Sequence, residues 1–321
     1  MIAAGGEPTN LGRQGLRASR FGLGTAPLGI LPDLVDAAAA QRCLERAADL
    51  GIRHLDTAPF YGAGLAEERL GSFLAERDAT QFVISTKVGR TVCQSVDGRR
   101  ATTVFDFSRS GILRQIDESL RRIRVDRLDI VYLHDPDDHW PEAIDEAWPV
   151  LAELRAAGLI TSVGAGMNQA GMLRRFVQET SMDVILLANR YTLLQQYEAD
   201  ALFADCAARG VSVVLGAVLN GGILATGAVP GASYEYQPAS ASILERVARI
   251  EAVCRRHGVP LPGAALQFAA AHPAVSSVLV GAKSAEEVTL NLDAARYPTP
   301  SAFWAELQDL GLVGADRPLP P

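Results

Sequence analysis

Short apolar runs alternate with longer amphipathic segments along almost the whole chain. Several runs, such as Val213-Val214-Leu215, are apolar at consecutive positions, which is typical of parallel strands covered by helices. The alternation repeats eight times. The predicted strands are Arg20–Leu28, Arg53–Asp56, Phe82–Val88, Asp129–Leu133, Thr161–Ala165, Asp183–Leu187, Val211–Leu215 and Ser276–Val280.

The segments between these runs place their apolar residues at the spacing of helices that bury one face. Residues 36–50 form one such segment. Residues 110–123 form another, with Ser110 as the predicted N-cap, and residues 141–157 begin with Pro141, a residue favoured in the first helical turn. Repeated strand–helix units indicate a parallel sheet.

Eight such units in one chain favour closure into a (β/α)8 TIM barrel over an open, doubly wound sheet. No break in composition marks a second domain, so residues 1–321 are predicted to form a single α/β domain. Two connections, residues 89–109 and 216–240, are unusually long and follow strands. We expect them to lie over the C-terminal face of the barrel, where active sites of this fold are built.

Composition narrows the classes of function. Hydrophobic residues make up 48% of the chain and charged residues 21%, which is typical of a globular protein. A formal net charge of −7 argues against a nucleic-acid partner. No apolar run approaches the roughly 18 residues that span a bilayer, and no signal sequence is visible, so no membrane partner is expected. The sequence does not indicate an oligomeric state.

The four cysteines are scattered along the chain, at Cys43, Cys93, Cys206 and Cys254. They lack the paired spacing of disulfide frameworks and of zinc sites. Reduced thiols in a cytoplasmic protein are therefore the expectation, with no metal site.

Four polar side chains lie at or just beyond the ends of consecutive predicted strands. Asp56 ends the second strand and Tyr61 follows in its loop, while Lys87 ends the third strand and His134 the fourth. Singly, each has an ordinary structural interpretation, such as a helix cap or a solvated side chain. Because the ends of parallel strands meet at one rim of a barrel, we expect the four to converge on one pocket.

The chemistry that unites these four side chains is the reduction of a carbonyl group, or its reverse. A free tyrosine has a pKa near ~10, and a lysine ammonium held by a carboxylate would stabilise the phenolate. Tyr61 would then exchange a proton with the substrate oxygen near neutral pH, while His134 bonds the same oxygen. No side chain carries a hydride, so a nicotinamide cofactor is expected.

The motifs and their order resemble the aldo-keto reductase family, from about residue 11 to about residue 295. The motifs are Gly22-Leu23-Gly24-Thr25, Asp56-Thr57-Ala58-Pro59-Phe60-Tyr61-Gly62, Ser85-Thr86-Lys87, Leu133-His134 and Val280-Gly281-Ala282-Lys283. The resemblance implies an NAD(P)-dependent barrel enzyme without a metal, in which Asp56, Tyr61, Lys87 and His134 are catalytic. The cofactor-binding residues that it implies are Gly24, Thr25, Ala26, Asn168, Gly216, Ala217, Leu219, Gly221, Gly281, Lys283, Glu287 and Asn291.

The chain departs from the family pattern at three places that bear on the cofactor. Many members have Ser-Asn after the fifth strand, whereas this chain has Met167-Asn168, which leaves Asn168 to bind the carboxamide. Residues 215–222 contain no aromatic side chain to stack on the nicotinamide. Glu287 aligns with an arginine of NADP-preferring members, so NAD is the expected cofactor, although Lys283 is close in sequence. The alternative interpretation of Glu287 is an ordinary first-turn helix carboxylate.

Three stretches are similar to a branch of the family that includes L-fucose, D-threo-aldose and L-galactose dehydrogenases and pyridoxal 4-dehydrogenase. They are residues 164–169, 190–194 and 219–222. This similarity implies oxidation of the anomeric hydroxyl of an aldose to a lactone, with Tyr61 as the base. Trp140, just beyond His134, is a candidate for the wall of the substrate pocket, with Tyr61 and His134.

Other interpretations remain open. One alternative keeps the same chemistry: a pyridoxal 4-dehydrogenase or an NADPH-dependent carbonyl reductase. The structure of the 89–109 connection would distinguish this alternative from a sugar dehydrogenase. Arg99, Arg100 and Arg109 in that connection are candidates to clamp an anion, although exposed cations are usually solvated. The alternative from a different class is a regulatory binding subunit that resembles a reductase, as in some potassium channels.

Overall fold

Eight parallel strands close into a barrel in the computed structural model, which describes residues 8–12, 15–29, 35–94, 101–235 and 237–320. Each strand pairs with the next along the chain, and the last pairs with the first. The predicted barrel is therefore confirmed. In chain order the strands are β1 (Phe21–Gly24), β2 (His54–Asp56), β3 (Val83–Val88), β4 (Leu128–His134), β5 (Ile160–Met167), β6 (Val184–Ala188), β7 (Ser212–Gly216) and β8 (Val275–Gly281).

Helices pack around the outside of the barrel. The longer ones are α1 (Ala37–Asp49), α2 (Leu65–Leu74), α3 (Arg109–Ile123), α4 (Trp148–Ala156), α5 (Ala170–Glu179), α6 (Asp200–Arg209), α7 (Ala241–His257), α8 (Leu261–Ala271), α9 (Ala285–Ala295) and α10 (Ser301–Asp309). Shorter helical segments are Ala26–Leu28, Ala79–Gln81, Asp137–His139, Trp140–Glu142, Ala143–Ala147, Asn220–Gly222 and Ile223–Thr226.

Element ends differ from the prediction at three places. Strand β1 ends at Gly24, because Ala26–Leu28 turns into a 3₁₀ helix with a proline in its first turn. The N-cap of α3 is Ser108, not Ser110, since the Ser108 backbone is extended and its hydroxyl accepts a hydrogen bond from the Gly111 amide. The third predicted helix starts at Trp140 and passes through a π-helical turn before α4.

Apolar side chains fill the barrel interior towards the N-terminal ends of its strands. Ile130, Tyr132 and Val214 belong to this inner core. A two-stranded hairpin, Thr9–Leu11 with Leu16–Ala18, lies against it and contributes Leu11 and Ala18. The hairpin covers this end of the barrel, so the candidate site is sought at the opposite, C-terminal end.

The first long connection is a β-hairpin of Arg90–Gln94 paired with Ala101–Phe105. The pattern did not predict it because residues 102–105 are exposed, and a strand without a buried face has no hydrophobic alternation to read. Arg109 pairs with Glu153 on the surface, while Arg99 and Arg100 lie outside the described residues.

The second long connection, residues 216–240, contains the segments Asn220–Gly222 and Ile223–Thr226 and a two-residue ribbon of Ser233–Tyr234 with Gln237–Pro238. Gln195 donates to the Tyr234 hydroxyl at 2.8 Å, and Arg190 forms an ion pair with Glu235. These contacts hold the connection against the loop that follows β6. In the described part of the chain, the helices are too short or too polar to cross a bilayer.

Candidate active site

A buried ion pair forms the centre of the site at the C-terminal ends of β2 and β3. Lys87 Nζ donates to Asp56 Oδ2 at 2.6 Å and to the Thr57 carbonyl at 2.9 Å. In the register of these strands Asp56 lies opposite Ser85, and Ser85 and Lys87 share a face because side chains alternate along a strand. The ion pair therefore follows directly from strand register.

Tyr61 lies in the turn that follows β2 and faces the ion pair. Its ring centroid is 4.9 Å from Lys87 Nζ and 6.1 Å from the His134 ring, which meets it edge to face. The turn needs glycine at position 62, where φ is +67° and a Cβ atom would lie 2.2 Å from the Gly29 carbonyl oxygen. Tyr61 is thereby held between an ammonium group and an imidazole.

Electrostatics fix the charge of the lysine. Burial by itself lowers the pKa of Lys87, but the negative charge of Asp56, together with Tyr61, outweighs burial, and the pKa lies above its ordinary value. Lys87 is therefore an ammonium ion at neutral pH. A buried ammonium beside a phenol favours the phenolate form of that phenol.

His134 is a neutral imidazole at neutral pH. Burial, and then the positive charges of Lys87 and Arg90, hold the pKa of His134 well below its usual range. Its Nδ1 atom is buried and has no hydrogen-bond partner among the described residues, while Nε2 lies 3.9 Å from Asp135 Oδ2. A neutral imidazole carries one donor and one acceptor nitrogen, so it is able to hydrogen-bond a ligand oxygen without adding a charge.

An aromatic and charged rim borders the catalytic side chains. The Arg90 guanidinium lies 3.9 Å from the centre of the Phe60 ring and forms an ion pair with Asp135, which has a left-handed backbone (φ +46°). The Phe60 ring stands edge-on to His134 at 5.8 Å. Phe105 of the 90–105 hairpin also lies close to Arg90, at 5.8 Å. Arg90, Phe105 and Asp135 were not among the predicted site residues, and Phe60 lies within the motif Asp56–Gly62 without a predicted role.

Trp140, predicted in the substrate wall, contacts the outer helices. Its ring centroid is 4.5 Å from that of Phe176, and the Arg175 guanidinium lies 3.7 Å from its ring centroid; both residues belong to α5. Among the described residues, the aromatic rings that meet the His134 ring edge to face are those of Phe60 and Tyr61.

The strand ends leave a shallow cradle that suits a flat ring. Five strands carry only glycine or alanine at the rim, and these residues are Gly24, Gly166, Ala188, Gly216 and Gly281. A Cβ atom at Gly24 would project into open space, and one at Gly166 would crowd Leu186 at 3.3 Å. A nicotinamide ring fits a floor of this kind because its walls are main chain rather than side chains.

Amide side chains border the cradle. Asn189 Nδ2 donates to Asn168 Oδ1 at 3.3 Å, and Asn189 is a left-handed residue directly after β6. Asn220 is fully buried, and neither polar atom of its side chain has a partner among the described residues. A buried amide without a partner is costly unless a ligand satisfies it, so Asn220 fits a bound cofactor. Asn189 and Asn220 were not among the predicted cofactor residues.

The remaining predicted cofactor residues lie on the same rim. Thr25 bonds the Asp56 carbonyl through both its amide and its hydroxyl, at 2.8 and 2.9 Å. Ala26 begins the 3₁₀ segment after β1. Ala217, Leu219 and Gly221 form the turn after β7, where Ala217 (φ +52°) and Gly221 (φ +71°) are left-handed.

The segment after β8 begins helix α9 with its own capping interactions. Ser284 is the N-cap, and its hydroxyl accepts from the Glu287 amide at 3.2 Å. The Glu287 carboxylate accepts from the Lys283 amide at 2.8 Å. Asn291 Nδ2 approaches the Gly281 carbonyl at 3.4 Å. Glu287 thus places a negative charge at the helix N-terminus, where an anion would otherwise bind.

The profile of the aldo/keto reductase family matches residues 20–311, which includes the ion pair, Tyr61 and the whole barrel. The chain belongs to the aldo/keto reductase family. The predicted family and fold class are therefore confirmed. Aldo/keto reductases use a nicotinamide cofactor, and the chain is an NAD(P)-dependent oxidoreductase of this family.

Relatives of known activity match along nearly the full length of this aldo/keto reductase. It is 37% identical over 315 residues to a D-threo-aldose 1-dehydrogenase from Pseudomonas sp, a match that covers 93% of this chain and 96% of the relative. It is 36% identical to a pyridoxal 4-dehydrogenase from Microbacterium luteolum, covering 96% and 98%. Among solved structures, an aldo-keto reductase from Bacillus halodurans in its holo form is 27% identical, covers 95% of this chain and 96% of its own, and superposes with a TM-score of 0.78.

Proposed function

We propose that this aldo/keto reductase oxidises the anomeric hydroxyl of an aldose to a lactone and passes the hydride to NAD. The observation that carries the proposal is the grouping of Tyr61, the Lys87 ammonium and neutral His134 at the barrel mouth. The similarity to a D-threo-aldose 1-dehydrogenase supports the choice of substrate class.

Tyr61 is the general acid/base of the reaction. The Lys87 ammonium favours its phenolate form, which takes the proton from the anomeric hydroxyl. Asp56 holds Lys87 in place and keeps it charged. Neutral His134 hydrogen-bonds the same substrate oxygen and orients it. The C1–H bond breaks as the lactone C=O forms, and a bound nicotinamide supplies the hydride acceptor.

In this proposal residues of the rim would hold the cofactor. Asn168 and Asn189 would bond its carboxamide, and the glycines of the strand-end cradle would leave room for its ring. The turn after β7 and the start of α9 would hold the rest of it. The Glu287 carboxylate disfavours a 2′-phosphate, which makes NAD the preferred cofactor.

Pyridoxal is a second candidate substrate. The support is the 36% identity with a pyridoxal 4-dehydrogenase and the aromatic rim at Phe60 and Phe105, which suits a flat aromatic ring. A cytoplasmic location also belongs to the proposal, since Cys43, Cys206 and Cys254 are buried free thiols.

The experiment is a parallel assay of reduced cofactor with L-fucose, L-galactose, D-arabinose and pyridoxal, each with NAD and with NADP. The proposal predicts turnover of at least one sugar, faster with NAD. Turnover of pyridoxal alone would move the function to the second candidate. Binding of the cofactor without turnover of any substrate would contradict both and favour a regulatory role.

A further inference from the structure

A chain of buried polar side chains runs from the catalytic carboxylate into the barrel interior. Ser85 Oγ donates to Asp56 Oδ1 at 2.7 Å, and His54 Nε2 lies 3.1 Å from Ser85 Oγ. On the other side of the imidazole, His54 Nδ1 lies 3.3 Å from Ser277 Oγ. His54, Ser85 and Ser277 are all completely buried, so water does not substitute for any of these contacts.

The direction of each hydrogen bond follows from the carboxylate. A carboxylate accepts but does not donate, so the single Ser85 proton points towards Asp56. The Ser85 oxygen then has only a lone pair to offer His54, so it accepts a hydrogen bond. The His54 nitrogen that faces it, Nε2, must therefore carry the hydrogen. Burial lowers the pKa of His54 to about 4, so the ring is neutral and, with the hydrogen on Nε2, Nδ1 is an acceptor. The Ser277 hydroxyl has two acceptors within reach, Nδ1 at 3.3 Å and the Ser19 carbonyl at 3.2 Å, so the tautomer rests on the Ser85 side of the ring.

We propose that His54 is a positioning residue of the active site: its Nε2–H holds the Ser85 hydroxyl, and Ser85 fixes Asp56 so that Oδ2 meets Lys87. The two oxygens of Asp56 then have separate partners, Ser85 on one side and Lys87 on the other. Loss of the Ser85 bond leaves a buried carboxylate oxygen unsatisfied, which favours protonation of Asp56 and weakens its hold on Lys87.

The effect of a weaker Asp56–Lys87 ion pair on catalysis depends on the charged and titratable groups around it. Lys87 faces Asp56 and Tyr61, and its charge also acts on His54 and His134; Tyr132 lies within the field of Asp56. A Lys87 that is held less firmly stabilises the Tyr61 phenolate less well. The limb of the pH–rate profile that reports Tyr61 ionisation then moves to higher pH, an effect that rests on the proposed role of Tyr61.

The first test needs no substrate. Histidine labelled with 15N distinguishes the two neutral tautomers by NMR, and the His54→Gln variant identifies the His54 signals among the five histidines. The expected result is a neutral ring with hydrogen on Nε2 between pH 6 and pH 9, because this range begins about two pH units above the pKa of the ring. A ring with hydrogen on Nδ1, or a ring that titrates in this range, would overturn the proposal.

The second test is the pH dependence of kcat for oxidation. We expect Ser85→Ala to lower kcat roughly tenfold and to raise the controlling pKa by about one unit, because it removes a hydrogen bond to a charged group. His54→Leu moves both values in the same direction by less. His54→Gln stays close to wild type, since its amide donates from a similar position.

Ser162→Ala is the matched control, because Ser162 is also buried in the barrel and its hydroxyl has no partner among the described residues. If Ser85→Ala and Ser162→Ala give the same profile as wild type, the positioning role is wrong. If Tyr61→Phe proves fully active, the proposed function fails instead, and the tautomer measurement alone then decides the role of His54.

Discussion

At the scale of single residues, the catalytic side chains depend on pairwise charge. Asp56 and Lys87 are both almost wholly buried, where an unpaired charge would be expensive and a paired one is rigidly placed. Neutral His134 completes the set, because a protonated ring would repel Lys87. Charge also bears on the choice of cofactor.

Glu287 gives a direct prediction about cofactor choice. The Glu287→Gln variant keeps an acceptor for the Lys283 amide but removes the negative charge. We expect kcat/KM for NADP to rise roughly tenfold, a gain of about 1.4 kcal/mol, while kcat/KM for NAD changes little. Steady-state kinetics with both cofactors provides the measurement.

Glu286→Gln is the control for this variant, since Glu286 is an exposed neighbour in the same helical turn. An equal response of the two variants, or a wild-type enzyme that already prefers NADP, would show that Glu287 does not select the cofactor.

The sequence predicted that Asp56, Tyr61, Lys87 and His134 converge, and the structure brings them together, because each lies within or beside a motif at a strand end. Their catalytic role stays a prediction. Sequence reasoning missed His54, Arg90 and Asn189, whose significance depends on partners distant in the chain. Asn189, for example, meets Asn168 only because β5 and β6 are neighbours in the barrel. Trp140, proposed for the substrate wall from its nearness in sequence to His134, packs its ring against Phe176, and its place in the wall stays a prediction.

At the scale of elements, the strand ends decide what the barrel mouth accepts. Five strands carry glycine or alanine at or next to their last position, which leaves open space at the C-terminal end of the barrel. The connections after β3 and β7 border this space. The strand pattern predicted the barrel well, because buried parallel strands are apolar throughout. The exposed hairpin after β3 was not predictable from that pattern.

Gly24→Val tests the cradle. The added side chain would enter the open space at the end of β1, so we expect the Kd of the cofactor to rise at least roughly tenfold. The fold should be retained, because no atom lies within 4 Å of a Cβ at this position. Calorimetric titration with NAD measures the effect, and Gly171→Val on the exposed face of α5 serves as control. Unchanged cofactor affinity in Gly24→Val would place the ring elsewhere.

At the scale of the whole molecule, the buried histidines link stability to pH. The pKa of His54 is lowered by burial to about 4, below its unfolded value near ~6.5, so the unfolded chain binds the proton first as pH falls. This contribution to stability is complete above about pH 6.5 and is lost progressively down to about pH 4, by about 3 kcal/mol in total.

Denaturant unfolding at pH 7 and pH 4.5 measures this loss. His54→Gln, which carries no titrating ring, should lose less stability over the same interval than the wild-type protein. An identical loss in both proteins would mean that His54 is not a source of the acid sensitivity.

The central claim is that Tyr61 moves the proton, and Tyr61→Phe tests it most directly. Tyr191→Phe is the matched control, because the Tyr191 hydroxyl is buried without a partner among the described residues. With the best substrate of the panel, the account predicts that kcat falls by about 10²–10⁴-fold in Tyr61→Phe while NAD still binds, and that Tyr191→Phe remains near wild type. A Tyr61→Phe enzyme with nearly normal kcat would contradict the account.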